Sequence, residues 1–195
     1  MPRAPSGEKP RCWWAAAGDP LYTAYHDEEW GVPQHDDRQL FEMLLLEGFQ
    51  AGLSWITILR KRENFREAFR GFDPEKIVRF GERDFERLMQ DAGIVRNRLK
   101  IQGSVLNARA YLAAQKEFGS FDKFIWQFTG GKTLRKPGGL TREGIVPTTA
   151  ESDRMSKELL RRGFKFVGST ICYAFMQAVG MVDDHVQGCW KYKKR

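Results

Sequence analysis

The chain has 195 residues, 42% of them hydrophobic and 29% charged, with a net charge of +7 and a sequence pI near 9.4. That length and apolar content suit one domain, or one domain with a small appendage, and argue against a mainly disordered chain. The basic excess favours a polyanionic partner.

The longest uncharged stretch, Val167 to Val182, carries Gly, Ser, Thr and Gln and is too short and polar to span a membrane. Met1 to Arg11 is Pro-rich, polar and basic, without the apolar run of a signal peptide, and reads as a loosely attached tail. Three cysteines make an odd set and a poor disulfide framework, so a reducing cytoplasm is expected. No feature demands more than a monomer.

In chain order, Cys12 to Val32 is irregular and rich in aromatics. Asp36, with Gln39 three residues on, has capping-box spacing and predicts a helix over about 37–48. Ser54 is placed to cap a helix from Trp55 to Phe69, with Gly71 as its stop. Asp73-Pro74 opens short helices near 74–80 and 83–91. A long helix follows the 92–97 loop and ends near Phe118, and an aromatic helix covers Phe121 to Phe128. Residues 129–148 are Gly/Pro-rich and basic, a functional lid or a tolerated insertion. Helices near 152–163 and 168–180 complete the chain, and 191–195 is a basic tail. No strand pattern is evident, so the predicted class is all-α.

Three constellations could carry chemistry. The first is Glu47 to Trp55. Glu47 falls one turn after Met43 and Leu44 on an otherwise apolar face, so its carboxylate must find a donor, stay protonated or await a cation. Gly48 and Gly52 permit a sharp turn, and Trp55 sits in the first turn of the next helix. This is either an ordinary corner with a core Trp or a pocket for a flat cationic ring.

The second is the helix, hairpin, helix over 83–116. Segment 92–116 holds Arg96, Arg98, Lys100, Arg109 and Lys116 without one acid. A loop with Gly93 leading into a helix N-terminus suits a phosphate, and Arg96, Arg98 and Lys100 reinforce that. A solvated helix connection fits equally well. Further basic residues gather at Lys157, Arg161, Arg162 and Lys165. Gly131-Lys132-Thr133 ends like a phosphate loop, but Trp126 stands where that motif needs Gly.

The third is a ligand set for a metal. His185 and Cys189 are four residues apart, and Cys12 and His26 lie at the other end of the chain. Together they would make a closed, structural Cys2His2 zinc site. The spacing alone is met as well by isolated histidines and a stray surface cysteine.

The chain resembles the DNA-3-methyladenine glycosylase I family, a branch of the helix-hairpin-helix DNA glycosylases. The match runs from Arg11 to Cys189. It is carried by Asp19-Pro20-Leu21-Tyr22, Tyr25-His26-Asp27-Glu28-Glu29-Trp30-Gly31-Val32-Pro33, Leu46-Glu47-Gly48, Ala51-Gly52-Leu53-Ser54-Trp55, Asn107-Ala108-Arg109-Ala110-Tyr111, Arg162 to Gly168 and Asp184-His185. The resemblance implies one catalytic region over 12–190. Its segments 12–35 and 150–190 would be clipped by one structural zinc on Cys12, His26, His185 and Cys189. Segment 36–128 would carry the pocket and hairpin.

It further implies that Glu47, Trp55, Tyr22 and Tyr25 receive 3-methyladenine flipped out of double-stranded alkylated DNA. The hairpin would hold the DNA backbone. Hydrolysis would free the base and leave an abasic site. A zinc-containing damage-sensing module without catalysis is the alternative. Val182-Asp183-Asp184-His185 looks like the segment in which helix-hairpin-helix glycosylases carry an aspartate. Asp183 would either stabilise charge on the sugar or cap a turn beside the zinc, and the turn is preferred.

Overall fold

The computed structural model describes residues 9–15, 18–136 and 140–192. Among them run nine α-helices: α1 (Pro20–Ala24), α2 (Asp37–Gln50), α3 (Trp55–Ala68), α4 (Pro74–Ile77), α5 (Glu82–Gln90), α6 (Arg98–Phe118), α7 (Phe121–Trp126), α8 (Ala150–Arg161) and α9 (Ser169–Ala178). A π-helical turn, Tyr25–Glu29, continues α1. Helical architecture is as expected. The correction is one short parallel ladder between β1 (Leu134–Arg135) and β2 (Val182–Asp183), which ties the 129–148 segment to the end of the chain. Two-residue strands leave no alternation to read.

The helices start and stop largely where local chemistry puts them. Asp36 accepts from the N–H of Gln39 at 2.9 Å, but Gln39 turns to the side chain of Gln34 rather than closing a capping box. Ser54 has the extended backbone of an N-cap, yet its hydroxyl bonds Thr57 Oγ1 at 2.8 Å instead of a backbone N–H. Gly119 ends α6 with φ 83°, a left-handed conformation that costs glycine least.

Gly48 lies inside α2, not in the turn that follows. A Cβ there would stand 3.3 Å from the Cβ and the carbonyl oxygen of Phe166, and one at Gly103 of α6 would stand 2.8 Å from the ring of the same residue. The two glycines therefore admit Phe166, itself at φ 58°, between α2 and α6.

Helix α2 is buried along most of its length, which explains why its two buried glutamates matter. Glu42 meets its requirement within the protein. Its Oε1 accepts from Arg62 Nε at 2.7 Å and from Arg66 NH2 at 2.8 Å, fastening α2 to α3. Arg62 also reaches Glu29 at 2.5 Å, which brings in the N-terminal segment.

Most of the expected N-terminal tail, residues 1–8, and residues 193–195 of the C-terminal one lie outside the described residues. Residues 10 and 11 are docked: Trp190 N–H donates to Pro10 O at 2.8 Å, and Arg11 pairs with Asp27 at 2.7 Å. None of the described helices is long and apolar enough to cross a membrane.

Replacing Glu42 by Ala leaves the largely buried Arg62 guanidinium with Glu29 as its remaining carboxylate. The expected cost is about 1.5–3 kcal/mol, the usual loss for hydrogen bonds to a charged group. Urea unfolding should show a lower midpoint with an unchanged slope.

Candidate active site and metal cluster

The irregular aromatic segment folds into one wall of a cavity of about 240 Å³. Tyr22, Tyr25, Glu47 and Trp55 all line it. The π-helical turn gives consecutive residues different tasks: Tyr25 faces the cavity, while His26 faces the cysteines. Tyr25 and Trp55 stand with ring centroids 5.5 Å apart, and Trp14 lies 5.0 Å from Tyr22.

Glu47 is 3% exposed, and its Oε2 has no hydrogen-bond partner. The indole Nε1 of Trp55 is likewise buried and unpartnered. Burial alone raises the Glu47 carboxyl to about 8. Burial, then the nearby Glu47, pushes up the phenols of Tyr22 and Tyr25. The cavity thus holds a carboxyl and an indole N–H without partners among flat apolar faces. Such an arrangement suits a planar ligand with polar edges.

Sequence reasoning missed the rest of the lining. Trp14 and Trp30 come from the aromatic segment already noted, which was the available signal. Leu140 and Ile145 come from the 129–148 segment, which therefore takes part in the cavity. Gln177 of α9 and Asp184 complete another wall, and no spacing signals them.

The metal candidates converge from opposite chain ends. Sγ of Cys12, Sγ of Cys189 and a ring nitrogen of His26 lie within 4.8 Å of one another, all buried. His185 stands outside that group of three but beside it, its ring centroid 5.3 Å from that of His26. Its Nε2 is buried and unpartnered. Each histidine has its other nitrogen held by an aspartate: His26 Nδ1 by Asp27 Oδ1 at 2.8 Å, and His185 Nδ1 by Asp183 Oδ1 at 2.7 Å. That pattern leaves Nε2 as the nitrogen that would ligate: His185 Nε2 is unpartnered, and His26 Nε2 already lies 3.4 Å from Cys189 Sγ and from Cys12 N. The Cys12 thiol donates to Cys189 and is itself pushed up, while Cys189 is pulled down to about 4, with His26 assisting. A thiolate, two imidazole nitrogens and a second sulfur form a donor set that zinc fits. Gly31 packs so closely here that a Cβ would come within 2.7 Å of His185 Cε1.

Asp183 does not line the cavity. Its Oδ2 accepts from Arg135 Nε at 2.8 Å, and its Oδ1 serves His185. Burial opposes its charge, but His185 and Arg135 hold the carboxyl down to about 2. Its role in the fold is to orient His185.

The hairpin is built by side chains. Lys61 Nζ donates to Ala92 O at 2.8 Å, and Gly93 N–H donates to Asp91 Oδ1 at 2.7 Å. A Cβ on Gly93 would stand 2.9 Å from both Asn64 and Asp91. Arg96 is exposed with no ion pair among the described residues. Arg98 is exposed but paired with Glu82.

Lys100 requires a correction. It is 8% exposed, and its ammonium donates to Phe49 O at 3.0 Å and Ala51 O at 2.9 Å. It caps the end of α2 and is not placed to meet a phosphate. The acid-free stretch had suggested solvent-facing cations, but a helix packed against α2 turns part of its circumference inward. The later basic cluster is partly structural too: Arg162 pairs with Glu117 and Glu158 at 2.7 Å and lies over Phe118 and Phe124.

Residues 14–192 match the family model described as methyladenine glycosylase. The chain is 54% identical to DNA-3-methyladenine glycosylase 1 of Escherichia coli K12, over 93% of this chain and 96% of that one. It superposes on a crystal structure of a 3-methyladenine DNA glycosylase I with TM-score 0.90 and 52% identity, covering 94% of this chain and 100% of that one. A tyrosine-to-phenylalanine variant of such an enzyme, solved in complex with 3-methyladenine, matches with TM-score 0.87 and 37% identity, covering 92% and 96%. With an aromatic cavity around a buried carboxyl, and a family match spanning nearly its whole length, this chain belongs to the methyladenine glycosylase family.

Proposed function

We propose that the chain is a base-excision repair glycosylase that hydrolyses 3-methyladenine from alkylated double-stranded DNA, acting as a cytoplasmic monomer with a helix-hairpin-helix grip on the backbone. One observation carries the reading: the unpartnered carboxyl of Glu47 in a cavity walled by Tyr22, Tyr25 and Trp55.

Methylation at N3 leaves the adenine of the nucleotide positively charged. That charge weakens the bond between C1′ and N9, so the base leaves readily. The protein must take the base out of the stack, hold it and admit water. Trp55 and Tyr25 offer faces on which the ring stacks. Glu47, neutral in the empty cavity, is driven toward its ionised form by a cationic ring and accepts from the exocyclic amine. Neutral adenine lacks that drive, which gives selectivity.

Zinc, when bound to Cys12, His26, His185 and Cys189, supplies no step of the reaction. Four protein ligands close its coordination, and its contribution is to pin the two chain ends that wall the cavity. Asp27 and Asp183 orient the two imidazoles for it. Cys189→Ala should lose zinc by elemental analysis and melt at lower temperature. Unchanged zinc content would remove Cys189 from the site.

Of the hairpin cations, Arg96 has no ion pair among the described residues, and Arg98 would exchange its exposed partner Glu82 for a phosphate. Replacing each with Ala should weaken binding to any duplex alike and reduce the salt slope by about 0.9 for every phosphate left without its cation. Lys100→Met should leave that slope unchanged, because its ammonium is committed to α2.

Glu47→Gln tests the carboxyl. An acid raised to about 8 by folding holds its proton in the folded chain where the unfolded chain has lost it. Its contribution to stability is therefore present below about pH 4.5 and lost as pH rises toward 8, at about 1.4 kcal/mol per unit where steepest. The Gln variant should consequently be the more stable protein at neutral pH, by a margin that grows between pH 5 and 8. It should also lose most of its excision of 3-methyladenine while keeping duplex binding. Release of the base at the wild-type rate by this variant would end the charge-recognition reading.

A further inference from the structure

The cavity is lined mostly by buried or half-buried side chains. Among the described residues that line it, Trp13 and Ile145 are the exposed ones, at 37% and 45%, so they stand where it meets solvent. They come from opposite halves of the chain. Trp13 lies in a tight turn closed by the N–H of Ala15, which donates to Cys12 O at 2.9 Å. Within that turn Cys12 is buried in the cysteine–histidine cluster. Trp14 packs against Tyr22 and His26, with ring centroids 5.0 and 5.2 Å away, and Trp13 is left at the rim. Ile145 follows a single 3-10 turn, Arg142–Gly144. That stretch is tied to the other chain end: Gln187 N–H donates to Leu140 O at 3.1 Å, and Leu140 and Val186 form a parallel bridge. Both rim residues are thus held by the segments that carry the metal candidates, not by the helices that carry Glu47 and Trp55.

An apolar side chain left in water at the mouth of a cavity is stabilised by whatever covers it. The shape of the substrate says what that is. A base seated on the faces of Tyr25 and Trp55 stays joined to its strand through the C1′–N9 bond. That bond has to pass through the mouth, so the deoxyribose lies at the rim and not inside. The sugar has no hydroxyl at C2′ and presents carbon-bound hydrogens there. Such a surface fits against an indole face and a branched aliphatic chain.

We propose that Trp13 and Ile145 form an apolar collar that grips the deoxyribose of the extruded nucleotide, and so distinguishes an extruded nucleotide from one still in the stack. The collar rests on the reading of the cavity as the seat of 3-methyladenine. An apolar contact is the same before and during bond breakage, so it contributes to binding the damaged strand and not to the chemical step. Free base carries no sugar and does not engage the collar. An undamaged duplex keeps its bases stacked and does not engage it either.

The test is single-turnover release of 3-methyladenine, with enzyme in excess over methylated duplex. Trp13→Ala should raise the enzyme concentration that gives half the limiting rate by about tenfold, the worth of covering part of an aromatic side chain. The limiting rate itself should stay near wild type. So should affinity for free 3-methyladenine, affinity for unmethylated duplex, zinc content and melting temperature. Trp13→Phe should recover most of the loss. Ile145→Ala, far in sequence from the cysteines, should show a smaller loss of the same kind. Wild-type half-saturation in both alanine variants overturns the collar. So does a matching loss of affinity for unmethylated duplex, which would make the two residues a general DNA contact. A matching loss of free-base affinity overturns it too, by making them part of the seat of the base. Should Trp13→Ala lose zinc or melt early, Ile145→Ala decides by the same readouts. Wild-type protein that released no 3-methyladenine would instead overturn the proposed function, and the collar with it.

Discussion

A carboxyl group buried without a donor is costly, and the architecture around Glu47 is arranged to keep one in place. Two glutamates lie on the same buried helix, five residues apart, and the protein treats them in opposite ways. Glu42 receives two arginines from α3 and is silent chemically. Glu47 receives none, and burial holds it near a pKa of 8. The satisfied acid clamps the helix that carries the unsatisfied one. Lys100 secures the end of that helix by taking the carbonyls of Phe49 and Ala51. The stability lost at Glu47 is thus the cost of an acceptor that has no partner until a ligand arrives.

The cavity and the cysteine–histidine cluster are two faces of one junction. Tyr25 lines the cavity and His26, its neighbour, meets the cysteines. At the other end of the chain Asp184 lines the cavity, while Asp183 and His185 serve the cluster. Residues next to each other in sequence point to different sites because neither segment is a regular helix. A π-turn carries the first pair, and the residues after β2 carry the second. Pinning the ends together therefore fixes the cavity walls directly, without a relay through the core.

Much of this was legible in the chain. The helix order followed from caps, glycines and apolar spacing, because those signals act within a few residues. Glu47 stood out because a carboxylate on an apolar face contradicts its surroundings. Trp55 followed from its place beside it, and the tyrosines from the family resemblance.

Other features depended on contacts between distant residues. The acid-free run 92–116 could not reveal that Lys100 turns inward to α2, or that Glu82 meets Arg98. Nor could the pair Asp183-Asp184 reveal which acid faces the cavity, since that choice belongs to Arg135, His185, Tyr173 and Gln177. By itself the sequence determined the helices and the presence of an acid among aromatics, because periodicity and capping are local. Only the tertiary structure decided which charges are spent inside the protein and which remain for a ligand, because the partners that neutralise a charge are brought to it by the fold.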